Sequence, residues 1–407
     1  MGKQMTGAGV GAVSAGAGAV SPGAGAGAVS PGAGAGAVSL GAGGVTKVGI
    51  VGTGVISGTY LDHLDKLPGV DVVAVADLDR SRAEAIAARR DGIRALTPEE
   101  LYAADDVEIV INLTIPAAHA AVHQAALAAG KHVYGEKPLA MDRAEAEPLL
   151  KYAAANDLRI GCAPDTVLGT GTQTARAAID RGDIGTPHAA TAFMVTPGHE
   201  LWHPAPEFYY RPGGGPVLDM GPYYVTSLVT LLGPVVRVTA RAGRAKQQRT
   251  VHTGPRAGTV FDVEVPTHVT GVLEHESGAL TTVLMSFDVW AGRLPRIEVH
   301  GTDGSLSVPD PNTFDGTVEI VTPERREWTE VPVAGGYAGA GRGVGVADLA
   351  RAVRSGAPHR ADGALAYHVL DVLESFVDSA IQDQPLDVAS TVARPAAVPL
   401  GASPETA

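Results

Sequence analysis

The chain has 407 residues, 45% of them apolar and 18% charged, and a formal charge of −13. That length and apolar share suit two packed domains and exclude a wholly disordered chain. The acidic balance excludes the basic face that nucleic acid or an anionic membrane demands, the lone Cys162 excludes a disulfide framework, and no apolar run reaches the roughly 18 residues of a membrane span.

Residues 1–44 hold 15 of the 52 glycines and a single charge, Lys3. Gly23 to Pro31 and Gly32 to Leu40 read GAGAGAVSP and GAGAGAVSL, a repeat with a shorter copy from Gly16. Side chains this small cannot offset the entropy of ordering the backbone, so residues 1–45 are expected to form a disordered Gly/Ala leader. It has no twin arginine, and glycine and proline break its apolar stretches, which argues against an export signal and for a cytoplasmic protein.

From Lys47 onward strands and helices alternate. Lys47 to Val51 reads as a buried strand, and Ile56, Tyr60, Leu61, Leu64 and Leu67 then recur at helical spacing. Val70 to Ala76 and Val107 to Leu113 are further apolar strands, with a short helix from Pro98 to Ala104 between them. An alanine-rich helix from Ala117 to Ala129 closes at Gly130. His132 to Tyr134 is a strand, Asp142 to Asn156 a helix, and Leu158 to Cys162 a strand. Apolar strands alternating with helices predict an α/β domain over residues 46–165, with a parallel sheet covered on both faces.

Beyond residue 165 the pattern shifts. Helices are expected at Thr172 to Arg181 and Met220 to Leu232. Val269 to Leu273 and Ala279 to Phe287 flank Glu-Ser-Gly, and Ile297 to His300 and Ser305 to Val308 flank Gly-Thr-Asp-Gly; both are hairpin signals. With closing helices at Val344 to Ser355 and Asp362 to Ile381, residues 166–384 predict a second α/β domain with a largely antiparallel sheet. Residues 385–407, rich in proline and small residues without periodicity, read as a tail.

The first chemical signal is Gly52-Thr53-Gly54-Val55-Ile56-Ser57, between a strand and a helix. Gly52 permits a tight turn, Gly54 lets the backbone approach a pyrophosphate on the helix N-terminus, and Ser57 keeps the helix close to the sheet. Asp77 ends the next strand, where it can accept from the adenosine ribose hydroxyls and repel a 2′-phosphate, favouring NAD. Arg80 and Arg82 keep NADP open, against the plainer reading of a solvated helix start. The second signal is Gly135-Glu136-Lys137-Pro138, at the carboxyl end of a strand facing the ligand crevice. A lysine there can donate to a substrate oxygen and share in proton transfer.

These pieces resemble the Gfo/Idh/MocA oxidoreductases. The match rests on GTGVIS, Asp77, the stretch from Thr114-Ile115-Pro116 to His119, Glu136-Lys137-Pro138, and Gly213-Gly214-Gly215-Pro216-Val217-Leu218-Asp219-Met220-Gly221, and it spans roughly residues 46 to 382. The resemblance implies a Rossmann domain followed by an α/β domain whose open sheet serves oligomer contacts, and so a homo-oligomer, dimer or tetramer. It implies NAD(P)-dependent hydride transfer at a carbinol carbon of a sugar, sugar derivative or cyclitol. Two other activities stay open: a redox-neutral sugar-processing enzyme that retains its NAD, and a non-catalytic NAD-sensing regulator.

Many relatives carry a histidine four residues after the Asp of the glycine-rich motif; here Asp219 is followed at that distance by Tyr223. Positions i and i+4 share a helix face, so the two can converge on one ligand. Tyr223 is expected as proton acceptor, its pKa lowered by Lys137 and the nicotinium charge, with Lys137 as electrostatic partner and Asp219 as orienter. A packed core tyrosine is the alternative, and Tyr224 reads as packing.

The loop from Gly198 to Tyr210 gathers four of the 19 aromatic residues with His199, Glu200 and His203. Trp202, His199 and His203 suit the faces and hydroxyls of a sugar ring, against the plainer reading of a loop that packs on a neighbour. Irregular spacing argues against a metal. His119, at a helix start, reads as near the cofactor or structural, while Cys162 and His368 read as packing.

Overall fold

The computed structural model describes residues 44–405. The Gly/Ala leader expected over residues 1–45 therefore lies, up to residue 43, outside the described residues.

Six strands build the first sheet: β1 (Thr46–Val51), β2 (Val70–Ala76), β3 (Arg94–Leu96), β4 (Ile109–Asn112), β5 (His132–Gly135) and β6 (Ile160–Cys162). Every pairing is parallel, in the order β3-β2-β1-β4-β5-β6. The order reverses between β1 and β4, which places a ligand crevice at their carboxyl ends. Successive strand residues point to opposite faces, so strands apolar throughout fill two cores. Ile109 and Ile111 join Val48, Ile50 and Val75 on one side, while Val110 joins Val51, Ala74 and Val133 on the other.

Five helices follow these strands: α1 (Val55–Leu64), α2 (Arg80–Ala87), α3 (Pro98–Tyr102), α4 (His119–Ala128) and α5 (Arg143–Ala155). Tyr60, Leu61 and Leu64 of α1 cover the first face; Leu101 of α3, Leu127 of α4 and Leu149 of α5 cover the second. The short α3 starts on a capping box, in which Thr97 Oγ1 accepts from Glu100 N and Glu100 Oε2 from Thr97 N at 3.2 and 2.8 Å.

The rest of the chain runs α6 (Thr170–Arg181), β7 (Pro187–Val195), α7 (Gly215–Leu232), β8 (Val235–Gly243), a small ribbon of β9 (Gln248–Thr250) and β10 (Val260–Asp262), then β11 (His268–His275), β12 (Leu280–Ser286), β13 (Ile297–Gly301), β14 (Ser305–Val308), β15 (Glu319–Val321), β16 (Thr329–Glu330), α8 (Val344–Ser355), α9 (Gly363–Gln382) and β17 (Leu386–Asp387). The second sheet has the order β16-β15-β14-β13-β7-β12-β11-β8-β17. It is antiparallel except for β7 beside β12. The hairpins β11–β12 and β13–β14 form where the turn residues place them. β7 and β8 have no hairpin turn to announce them, and both pair with strands distant in sequence. Leu228 and Val229 of α7 and Val372 and Phe376 of α9 pack one sheet face against Val269, Val283, Met285 and Val299.

Two features depart from the sequence reading. Helix α8, within residues 166–384, packs on the first sheet, where Val346, Leu349 and Ala350 join the cluster of Tyr60 and Leu64. The stretch read as a tail is tied down over its described residues, 385–405. β17 pairs with β8, Val398 is buried and its N–H donates to Gln173 Oε1 at 2.8 Å, and the guanidinium groups of Arg176 and Arg360 donate to the carbonyls of Pro395 and Ala396. These anchors are backbone groups, which leave no periodicity in a sequence. No helix among the described residues is long and apolar enough to cross a membrane.

Removing residues 385–407 should take acceptors from the buried guanidinium groups of Arg176 and Arg360, and take from Asp371 Oδ2 and Gln173 Oε1 the N–H donors of Ser390 and Val398. A thermal scan should show the midpoint lowered by about 5 °C or more, because each buried polar group left unsatisfied costs roughly 1–3 kcal/mol. An unchanged midpoint would show the stretch to be a passenger.

Candidate active site

The turn after β1 is shaped for a bound group. Gly52 has φ +98°, and a Cβ there would lie 2.7 Å from the Leu113 and Thr114 backbone, so only glycine lets β1 and β4 come this close. A Cβ on Gly54, by contrast, would meet nothing within 4 Å, and α1 begins there with no side-chain cap on its first N–H groups. That open, uncapped helix start fits a pyrophosphate. Val55, Leu78 and Ile115 stand exposed just beyond β1, β2 and β4, offering apolar faces to flat rings. Ile56 instead turns its side chain to the core, and Ser57 is buried with its hydroxyl donating to Gly54 O at 2.7 Å.

Asp77 braces this turn. Its Oδ2 accepts from Thr53 N and Thr53 Oγ1, both at 2.8 Å, and its Oδ1 from Asp79 N at 3.0 Å. Burial works against its charge, but these hydrogen bonds hold its pKa below the ordinary carboxylate range. Arg80 pairs with Glu84 and Glu100, and Arg82 with Asp79, on the exposed surface.

At the carboxyl end of β5, Glu136 Oε1 accepts from Tyr60 OH at 2.7 Å and Oε2 from Lys137 N at 3.0 Å. The Lys137 ammonium crosses to α7, where it donates to Asp219 O at 2.6 Å and to Oδ1 at 3.2 Å. Lys137 Nζ also lies 5.2 Å from the centre of the Tyr223 ring. Lys137, Asp219 and Tyr223, 82 or more residues apart from the lysine in the chain, thus meet at one point. Pro222 lacks the N–H that would bond Leu218 O and loosens the helix turn carrying Asp219.

His119 and Thr114 serve the scaffold. The His119 ring is buried, with Nδ1 2.6 Å from Pro138 O and Nε2 3.1 Å from Thr114 O. Each nitrogen faces a carbonyl and a neutral ring donates to one of them, so of the two readings of His119 these contacts support the structural one, a brace between the β4 and β5 loops. Thr114 Oγ1 donates to Asn112 Oδ1 at 2.6 Å.

The loop after β7 folds over α7's start. Gly214 makes this possible, since a Cβ would meet the Phe208 and Tyr209 backbone at 2.6–2.8 Å. His199 Nε2 lies 2.8 Å from Asp219 Oδ2. Trp202 is exposed and His203 half-buried, its Nδ1 accepting from Ala205 N, and both rings stack near His199, Phe208 and Tyr209. Glu200 is turned away, bound by Arg249 Nη1 at 2.6 Å and by Tyr210 OH. Among the described residues no three His, Cys, Asp or Glu side chains gather as metal ligands would.

Residues 46–163 match the family described as "Oxidoreductase family, NAD-binding Rossmann fold", and residues 172–307 match the GFO/IDH/MocA C-terminal domain. The chain belongs to the GFO/IDH/MocA oxidoreductases. Among curated proteins it is similar to trans-1,2-dihydrobenzene-1,2-diol dehydrogenase of Bos taurus, 28% identical over 309 residues, which are 75% of this chain and 86% of the relative. Inositol 2-dehydrogenase 3 of Saccharopolyspora erythraea is 27% identical over 270 residues, 65% of this chain and 73% of the relative. A crystal structure of an NAD-binding oxidoreductase from Klebsiella pneumoniae superposes with a TM-score of 0.74 at 24% identity, over 85% of this chain and 99% of the other. Levoglucosan dehydrogenase in complex with NADH and L-sorbose gives 0.72 at 21%, over 85% and 99%.

Two findings go beyond the sequence reading of this GFO/IDH/MocA member. Burial outweighs the pull of Lys137 and of a second cation, so the Tyr223 pKa lies above the ordinary phenol range, not below it. The sequence shows the neighbouring charges but not the depth at which the ring is buried. The second cation is Arg342, from the turn before α8, whose guanidinium lies 5.1 Å from the Tyr223 ring centre and donates to Asn312 Oδ1 at 2.6 Å. It follows a run of glycines without a recognisable motif, so nothing in the sequence marks it. Burial opposes the Lys137 charge, but Asp219, Tyr223 and Glu136 overcome it, and its pKa is raised. Burial likewise opposes the Asp219 charge, and Lys137 and His199 overcome it, so its pKa is lowered.

Asp219→Asn keeps the shape and removes the countercharge. Burial should then dominate at Lys137, and its pKa should fall. Acylation of Lys137 by an amine-selective reagent, followed by mass spectrometry across pH, should begin at lower pH than in the wild type. The same onset in both would mean that Asp219 does not hold the lysine charged.

Proposed function

We propose that this NAD-binding oxidoreductase moves a hydride between nicotinamide and a hydroxyl-bearing carbon of a sugar, sugar derivative or cyclitol. The reading is carried by one juxtaposition: a charged Lys137, a neutral Tyr223 and an ionised Asp219 at the carboxyl end of β5, at the same end of the parallel sheet as the open turn at Gly54 that follows β1. Relatives named for inositol and for a diol support a polyhydroxylated substrate. The aromatic loop with Trp202 and His203 supports a ring with apolar faces and hydroxyl edges.

When bound, NAD supplies the hydride chemistry. The first N–H groups of α1 would hold its pyrophosphate, Asp77 its adenosine ribose, and Val55, Leu78 and Ile115 its flat rings. Lys137 directs its ammonium at the substrate oxygen and stabilises negative charge growing there. Asp219 aims that ammonium. Tyr223 donates its proton to the substrate oxygen in reduction, and its phenolate accepts the hydroxyl proton in oxidation. Because the phenol pKa is raised, oxidation should be favoured by alkali and reduction should run at neutral pH. We also infer a homo-oligomer built on the second sheet, where Phe193, Val272 and Leu284 stand half-buried.

A panel of sugars, sugar acids and cyclitols with NAD and NADP tests the reading directly; no turnover of any member would refute it. On the best substrate, Lys137→Ala should lower kcat by about 10²-fold or more while NADH still binds. In the wild type the oxidation rate should climb with pH toward and beyond about 10, the ordinary tyrosine value. Tyr223→Phe should fold normally, lose most of kcat and lose that climb. A fully active Tyr223→Phe enzyme would end the tyrosine's role.

Cofactor choice gives a separate measurement. An ionised Asp77, with Arg80 and Arg82 already paired, should make the Kd for NADP at least roughly tenfold weaker than for NAD. Asp77→Asn, which keeps an acceptor for Thr53, should narrow the gap. Tighter binding of NADP by the wild type would reverse the assignment.

A further inference from the structure

His199 reads in the sequence as part of a substrate wall, but its ring is turned to another task. Its Nε2 lies 2.8 Å from Asp219 Oδ2, while Asp219 Oδ1 lies 3.2 Å from Lys137 Nζ. One carboxylate is therefore gripped on both oxygens, by an imidazole from the loop after β7 and by an ammonium from the end of β5. An ionised carboxylate only accepts, so Nε2 carries the proton in this contact, and a neutral ring leaves its lone pair on Nδ1.

Nothing among the described residues continues from Nδ1, which is buried without a partner there, and the residue is 7% exposed. It stands edge-on to Tyr209 at 4.2 Å and beside Phe287 at 4.5 Å between ring centres. Among the described residues no side chain or carbonyl is bonded to Nδ1, whereas Nε2 is bonded to Asp219. What remains to it is orientation of Asp219.

The loop is built to hold the ring still. His199 N donates to Tyr210 OH at 3.0 Å, and that hydroxyl donates to Glu200. Arg249, fully buried, binds Glu200 Oε1 at 2.6 Å, Asp288 and the carbonyls of Pro197 and Phe287. Burying three charges beneath one loop is costly unless each is paired, as these are, and the return is a single loop conformation. In this chain the position four residues after Asp219 is taken by Tyr223, so the imidazole beside the carboxylate comes from a different element.

We propose that His199 is a positioning residue for the Lys137–Asp219 pair and not a substrate contact. It acts through Asp219 Oδ2, fixing the carboxylate so that the ammonium is presented in one direction. The inference rests on the reading of Lys137 and Asp219 given above.

The test compares His199→Gln, His199→Phe, Asp219→Ala and the double variant His199→Phe/Asp219→Ala on the best panel substrate, with Lys137→Ala as reference. Glutamine can return an N–H near the Nε2 position, and phenylalanine keeps the ring packing without it. His199→Phe should lower kcat roughly 10- to 100-fold, the cost of about 1 Å of misplacement, with KM and the Kd for NADH changed about threefold or less. His199→Gln should recover a large part of the loss. In the Asp219→Ala background, His199→Phe should cost about threefold or less, because its target is already gone. Should the Phe variant fail to fold, the Gln variant and its pairing with Asp219→Ala carry the same comparison. A raised KM with kcat retained would make His199 a substrate contact, and full additivity with Asp219→Ala would uncouple the two; either result overturns the proposal. If Lys137→Ala keeps full activity, the reading of the site fails first, and that outcome is separate from the other two.

Discussion

The Lys137 ammonium is the point on which the two halves of this molecule converge. It leaves the carboxyl end of a parallel strand and, among the described residues, donates its hydrogen bonds to Asp219, on a helix that belongs to the other sheet. A lysine this deeply placed would lose its charge without a countercharge. The site therefore needs α7 to arrive with its first turns against β5, and the glycine-rich run before α7 provides that approach.

Around that pair the electrostatics are set by depth. Lys137 is held charged, Asp219 is held ionised, and Tyr223 is held neutral even though two cations lie against its ring. A fixed ammonium and a protonated phenol form a site ready to donate toward an oxygen that gains negative charge. Such preorganised donors act strongly where water is excluded. The same burial makes the site dependent on its frame, because any slack in Asp219 is passed on to the ammonium.

The frame draws on segments spread along the chain. Helix α8 closes the first sheet, α9 contributes to both cores, and the last residues return to bind Gln173, Arg176 and Arg360. The nucleotide-binding half is thus completed by residues that follow β16 of the second sheet, and Arg342, which faces Tyr223, lies in that returning segment. Two sheets sharing their closing helices are held at one mutual geometry, which a site assembled from both requires.

The sequence by itself determined the parallel sheet, both hairpins, the open turn at Gly52 to Gly54, and the candidacy of Asp77, Lys137, Asp219 and Tyr223. The sheet, the hairpins, the turn, Asp77 and Lys137 are written locally, in continuous apolar runs, turn residues or a side chain at the end of a strand, whereas Asp219 and Tyr223 stand out through the resemblance of the glycine-rich motif and their i, i+4 spacing. Only the tertiary structure decided what depends on distance in the fold. It turned His199 onto Asp219, closed both nitrogens of His119 with carbonyls, brought in Arg342, and bound the C-terminal stretch through backbone groups that no side-chain pattern records. It also reversed the direction expected for Tyr223, because the desolvation that raises a phenol's pKa is a property of everything packed around the ring and of no residue near it in the chain.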